Sequence, residues 1–157
     1  MKAYIAPSTT VVRVHLESQL MQASKVGSVS TNLTGGDAIG YVTDTGIVTP
    51  EAHEALQRVR VLAIESNHDV KMLQEGPYPY PLKQRILGSG GHLSNAQCCE
   101  EVASLLHPVL QHVAAMHVSE HNNTFALPAR ELEETLAARG HGARVHVARP
   151  DRPIAIR

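Results

Sequence analysis

Val61-Leu-Ala-Ile-Glu-Ser-Asn-His-Asp-Val-Lys-Met-Leu73 changes character in its middle. Val59 to Ile64 is apolar apart from Arg60, the pattern of a strand covered on both faces. The run stops at Glu65, and polar Ser66-Asn-His-Asp69 leads into a short helical stretch through Asp69–Gln74, with Ser66 or Asn67 as the expected cap. A strand that ends this way delivers a carboxylate and an imidazole to one rim of a sheet, where a site can be assembled. Three other segments repeat the design: Tyr41-Val-Thr-Asp-Thr-Gly46, Gly91-His-Leu-Ser94 and Met116-His-Val-Ser119.

On the N-terminal side, Ala38 to Thr43 reads as a strand, with Asp44-Thr-Gly46 as its exit turn. Thr49-Pro50-Glu51 then opens a helix over Pro50–Arg58, combining a hydroxyl cap, a first-turn proline and a first-turn carboxylate. On the C-terminal side, Gly76-Pro-Tyr-Pro-Tyr-Pro81 is expected to be an extended or turning segment, with a short helix over Leu82–Leu87. Ser94-Asn-Ala-Gln97 has the form of a capping box and starts helix Asn95–Leu106, whose buried stripe is read as Ala96, Cys99, Val102, Ala103 and Leu106. Strand Val113–Val118, helix Pro128–Arg139 stopped by Gly140, and strand Ala143–Ala148 complete the alternation. Alternating strands and helices predict an α/β domain over residues 37–157. Residues 1–36 form an atypical leader, with a β-branched strand candidate at Thr9–Leu16 and a Ser/Thr/Gly-rich linker over Ser24–Gly36.

At 157 residues the chain is long enough for one domain with a real core, and with no Trp and a single Phe that core must be aliphatic. A formal net charge of −1 gives no global field toward nucleic acid or membrane. The arginines between Arg130 and Arg157 are read as a solvated face. No apolar run approaches the roughly 18–20 residues that span a bilayer, and the N-terminal stretch lacks a signal-peptide core, so a cytoplasmic protein without a membrane segment is expected. Adjacent Cys98 and Cys99 suit buried thiols rather than a disulfide framework. Of ten histidines, His53, His107, His112, His141 and His146 are assigned to ordinary helix or loop surface.

The remaining polar residues divide between structural and chemical uses. Asp44 can shape its own turn or ligate metal, its two oxygens being able to bridge two ions. Glu65, at the end of a buried strand, must find a partner and can orient a histidine through the second ring N–H. His92, between Gly91 and a helix start, can meet a phosphate or donate a proton to a leaving group, or can simply bond loop carbonyls. His117 is a natural neutral-imidazole ligand. His68, Ser94, Asn122 and Asn123 are candidates for holding substrate, with solvation, capping and turn formation as their structural alternatives.

Taken together, Ile39-Gly-Tyr-Val-Thr-Asp-Thr-Gly46, Glu65 to Leu73, Gly76 to Lys83, Arg85-Ile-Leu87, Gly91-His-Leu-Ser-Asn95, His117 to Thr124 and Asp151-Arg-Pro153 resemble the C-terminal half of a metallo-β-lactamase-fold hydrolase. More narrowly they are similar to the YycJ/WalJ-like branch, related to ribonuclease Z and ribonuclease J. The resemblance implies half of an αββα sandwich, a mixed sheet with flanking helices. It also implies phosphodiester hydrolysis of the DNA exonuclease kind, with divalent metal, zinc or alternatively manganese, as cofactor and nucleic acid as substrate. Asp44 matches the metal-bridging aspartate and His117 a histidine ligand; Glu65 and His92 match positions placed with the catalytic group. The family's H-x-H-x-D-H segment is absent from these 157 residues, so metal binding is expected to be incomplete in this chain. A half-sandwich would expose its inner sheet face, which implies a complementing chain or a homo-oligomer. The reading from a different class is a non-catalytic half-domain or interaction module that needs such a partner.

Overall fold

The computed structural model describes residues 28–33, 37–151 and 153–156. The strand candidate at Thr9–Leu16 lies outside the described residues.

Five strands form one mixed sheet in chain order: β1 (Ser28–Leu33), β2 (Asp37–Val42), β3 (Val61–Glu65), β4 (His112–Met116) and β5 (Arg144–Val147). β1 runs antiparallel to β2, and the other four are parallel. Ser28–Leu33 falls in the stretch expected to be a linker, yet it pairs with β2 from Ser28↔Val42 to Leu33↔Asp37. β-branched Val and Thr occur among its serines, and a neighbouring strand's backbone decides the outcome where side-chain pattern is weak. Helices α1 (Pro50–Leu56), α2 (Val70–Glu75), α3 (Tyr80–Leu87), α4 (Asn95–Ser104) and α5 (Ala126–Ala138) fill the connections. No helix among the described residues is long and apolar enough to cross a membrane.

Strand alternation sorts the sheet into two faces. Val42, Leu62, Ile64, Val113 and Ala115 join Leu56 of α1, Cys98 and Val102 of α4, and Leu132 and Leu136 of α5 in the main core. Every residue of β3 and β4 is buried, as a two-sided parallel sheet requires. On the opposite face Ala63, Ala114, Met116 and Ala148 form a smaller cluster against which Ile154 and Ile156 pack. The inner face expected to be bare is thus covered in part by the chain's own C-terminal residues.

The differences at helix ends have local causes. α2 is capped by Asp69, whose carboxylate accepts from the Met72 N–H at 2.7 Å, and not by Ser66 or Asn67. α3 starts inside the proline run, with Pro79 as its cap residue and Pro81 in its first turn, where a missing N–H costs no helical bond. In α4 the buried positions are Asn95, Cys98 and Val102, while Ala96 is exposed, so the stripe is rotated from the expected one. Asn95 is drawn inward by hydrogen bonds that belong to the candidate site. The Ser94–Gln97 capping box forms as expected. Cys98 is buried and Cys99 half-buried, both as free thiols.

Candidate functional site

β2, β3 and β4 end at the same edge of the sheet, and Asp44, Glu65 and His117 stand there. Asp44 and His117 both have left-handed backbones, with φ of 57° and 52°. Such a conformation costs a non-glycine residue on the order of 1 kcal/mol or more. It also breaks the strand path and turns the side chain across the sheet edge. β4 accordingly stops at Met116, before the expected Val118.

The fourth residue, His92, arrives from the loop between α3 and α4. Its N–H donates to the Ile86 carbonyl at 3.0 Å, and the Gly91 N–H donates to Gly88 at 2.8 Å. A Cβ at Gly91 would collide with the carbonyls of Arg85 and Ile86, so this tight turn requires glycine. A Cβ at Gly46 would strike the carbonyl of Gly88, which brings the loop after Asp44 against the loop before His92.

Glu65 lies beneath these groups with 0% exposure. Its Oε1 accepts from His92 Nδ1 at 2.9 Å and from His117 Nδ1 at 2.5 Å. Its Oε2 accepts from the backbone N–H groups of Thr45 at 3.0 Å and Leu93 at 3.5 Å. An ionised carboxylate has only acceptors, so both imidazoles carry hydrogen on Nδ1. When the rings are neutral, both Nε2 atoms are left with their lone pairs, the second-sphere pattern that prepares histidine for a metal. Burial pushes the Glu65 carboxyl upward, but hydrogen bonds from His117, His92 and Thr45 outweigh it and hold the group below its ordinary range. The bond to Glu65 raises the His117 imidazole above its usual range, against the effect of burial. Enclosed as it is, Glu65 reaches the rim through the two imidazoles, the ring-orienting use that a carboxylate at the end of a buried strand allows.

Asp44 is exposed over 69% of its side chain, with Oδ1 3.6 Å from His117 Nδ1. Ligand atoms of Asp44, His92 and His117 lie within 4.8 Å of one another, and the latter two histidines meet edge to face. The sequence separated His92 from the metal pair; the structure brings all three together. One carboxylate and two imidazoles are the oxygen and nitrogen donors that zinc or manganese accepts, and three protein ligands with an open position suit a catalytic ion.

The four residues expected at a substrate surface lie lower. His68 is 0% exposed, and Ser94, Asn122 and Asn123 are also buried. The isolated bridge between His68 and Ser94 draws two of the loops together. Ser94 caps α4 through the Gln97 N–H at 3.2 Å. Asn95 and Asn123 exchange two side-chain amide bonds at 3.1 and 2.8 Å, and Ser66 Oγ donates to Asn95 at 2.8 Å. Asn123 also donates to the carbonyls of Ser66 and Asn67, both at 3.1 Å. Asn67 in turn donates from Nδ2 to the His117 carbonyl at 2.8 Å, fixing the strained residue from below. The side chains of His68, Ser94, Asn122 and Asn123 are thus enclosed, and among them both His68 ring nitrogens and Asn122 Oδ1 are buried without a hydrogen bond among the described residues. Burial, then the charge of His92, lowers the His68 imidazole to about 4. Asn95 and Asn67 were missed as site-forming residues. Asn95 was concealed by its place at a helix start and Asn67 by the expectation that it would cap.

No family model matches the chain, and no solved structure matches it. It is 30% identical over 122 residues to exodeoxyribonuclease YycJ of Bacillus anthracis, a match covering 75% of this chain and 46% of that protein. It is 35% identical over 96 residues to exodeoxyribonuclease WalJ of Streptococcus pneumoniae, covering 61% of this chain and 36% of the relative. The matched share is less than half the length of each of these relatives. That coverage and the resemblance of its site motifs are consistent with a partial YycJ/WalJ-like protein.

Proposed function

We propose that this chain carries part of the site of a metal-dependent nuclease-like hydrolase, acting on phosphodiesters in DNA. The observation that supports this most is the convergence of Asp44, His92 and His117 over a buried carboxylate that sets both imidazole tautomers. The names of the similar proteins favour a DNA substrate. Asp44 Oδ, His117 Nε2 and His92 Nε2 would hold a divalent ion, zinc or manganese. Such an ion supplies Lewis-acid charge at a phosphoryl oxygen and lowers the pKa of water. Glu65 keeps both imidazoles oriented. If Asp44 and His117 alone held the ion, His92 Nε2, partly exposed on the rim, would instead be open to carry a proton to a leaving oxygen. The same three donors leave a second ion with few ligands from the described residues, which favours a second reading, a half-site completed by another chain.

Metal content and phosphodiesterase activity, measured together on the purified chain, test both. The hydrolase reading expects metal bound in stoichiometric amount, cleavage of a DNA phosphodiester, and loss of both in Asp44→Ala and His117→Ala. Metal binding without cleavage that becomes cleavage only on adding a complementing chain supports the half-site. Absence of tight metal with no activity in either setting overturns both.

A further inference from the structure

His112 and His146 lie far from the candidate site, at the start of β4 and within β5. From His112 to Met116 the strand advances roughly 13 Å. In register, His112 lies beside Arg144 and Ala114 beside His146. Alternation therefore puts His112, Arg144 and His146 on one face of the sheet. His112 is buried, contrary to the expectation of an ordinary surface histidine, and its Nδ1 lies 3.0 Å from His146 Nε2. One ring must donate to the other, and each keeps a second nitrogen outside this contact.

A cavity of about 620 Å³ opens against His112 and Arg144 of this row, with Gln111 and His141 completing its polar side-chain lining and Pro108 and Leu110 its apolar lining. The volume is within the range of small-molecule sites. The turns that frame it are tied together: His141 Nε2 donates to the His107 carbonyl at 2.9 Å, and the Ala143 N–H donates to His141 Nδ1 at 3.2 Å. The Arg144 N–H donates to the Gln111 carbonyl at 2.8 Å, fixing the row at the sheet edge. None of the lining residues is acidic, and Arg144 forms no ion pair among the described residues.

The sign of the local field decides between two ligands that paired imidazoles could take. Burial, His146, Arg60 and Arg144 together hold the His112 imidazole below its ordinary range. Burial and Arg144 do the same to His146. A divalent cation would enter a place where guanidinium charge already opposes a proton. An anion would be attracted by Arg144 and would favour protonation of the imidazole pair, gaining a second charged donor.

We propose that this cavity is a binding site for a small phosphate dianion, met by Arg144 and His112, with His146 holding the His112 ring. It is separate from the Asp44–His92–His117 cluster and independent of any hydrolytic activity.

The test uses the full chain treated with EDTA, at about pH 8, where both probes are dianions, and at constant ionic strength, with the histidine ring protons followed by NMR. Inorganic phosphate replaces chloride in one arm, and phenyl phosphate in the other. Saturable shifts of His112 and His146, with His92 and His117 unmoved, are expected in at least one arm. Tighter binding of the ester assigns the site to a phosphate monoester that uses the apolar lining, and equal binding assigns it to free phosphate. Arg144→Ala is expected to weaken binding by at least about tenfold, and Arg144→Lys to recover part of the loss. Arg144 is exposed, and Arg144→Glu serves as a second variant in which binding should vanish while the amide spectrum stays folded. Absence of saturable shifts in both arms overturns the proposal. So does unchanged affinity in Arg144→Ala, or shifts confined to His92 and His117.

Discussion

Glu65→Gln replaces the buried carboxylate with a group of the same shape, and the hydrogen-bond geometry dictates the result. Four N–H groups point at the Glu65 oxygens: two imidazole Nδ1 atoms on Oε1 and two backbone amides on Oε2. A glutamine has one acceptor oxygen. If that oxygen faces the histidines, the NH₂ group faces the Thr45 and Leu93 N–H groups, donor against donor. If the amide turns over, its NH₂ faces both Nδ1 atoms, and the rings must move their hydrogens to Nε2. Losing charge-assisted bonds and leaving a buried donor unpaired each cost about 1–3 kcal/mol, so the loss should be about 3–5 kcal/mol. With an m-value of about 2 kcal/mol per molar, the urea midpoint of the metal-free chain should fall by about 2 M. Nitrogen-15 spectra of the imidazoles report the second consequence, either a tautomer change at His92 and His117 or exchange broadening. A midpoint unchanged within about 0.3 M, with both rings still carrying hydrogen on Nδ1, would refute the reasoning. The pH dependence follows from the two shifts. Glu65's lowered pKa contributes stability above its ordinary 4.5 that is lost as pH falls through the folded value. His117's raised pKa contributes stability below its ordinary 6.5 that is lost as pH rises through the folded value. The difference between wild type and Glu65→Gln in the metal-free chain should therefore be largest between pH 4.5 and 6.5.

Other perturbations separate the remaining parts. His68, lowered from 6.5 to about 4, binds a proton more readily when unfolded, so its contribution is complete above 6.5 and lost as pH falls toward 4. That difference is worth about 3 kcal/mol, and His68→Leu should flatten the acid limb of stability against pH; an unchanged limb would rule out His68 as its source. Asn123→Ala removes both reciprocal amide bonds and leaves Asn95 Nδ2 without its acceptor, and should cost about 2–4 kcal/mol by urea unfolding, whereas a loss under about 0.5 would mean water replaces it freely. Arg58, also left-handed at φ 71° but at the opposite end of β3 from Glu65, should gain about 0.5–1 kcal/mol in thermal unfolding when changed to glycine. Asp44→Gly should likewise relax its backbone while abolishing metal binding, so stability and metal content should move in opposite directions.

Elements were legible wherever periodicity and caps agreed. Thr49-Pro50 and Ser94-x-x-Gln97 marked helix starts that the structure keeps, because their side chains satisfy backbone N–H groups locally. The meeting of Asp44 and His117 at one sheet edge was also readable, since parallel strands end on the same side. What strand pattern does not encode is depth. Nothing in Ser66-Asn-His-Asp69 says that His68 is sealed inside while its neighbour Asp69 caps a helix; that depends on the loops at Leu93 and Asn122 closing over it through backbone bonds of 2.9 and 2.8 Å. The same applies to β1, whose composition suggests no fixed structure until β2 offers an edge.

Depth also explains why a carboxylate, and not a neutral acceptor, stands at position 65. A buried carboxylate alone would be expelled or protonated. Here four donors converge on it from three separate loops, so the charge is tolerable only when the loops after β2 and β4 and the turn before α4 are all in place. The dependence is mutual: those loops hold Asp44 and His117 in left-handed conformations that a free chain would leave. Glu65 thus couples the placement of two ligand-type histidines to the folding of the rim, and local opening of any one loop should release the others. Hydrogen exchange at the Thr45 and Leu93 amides tests that coupling, since both should be protected to the same degree in the native chain and lose protection together in Glu65→Gln. Unequal protection in the native chain would instead show that the rim is assembled from independent loops.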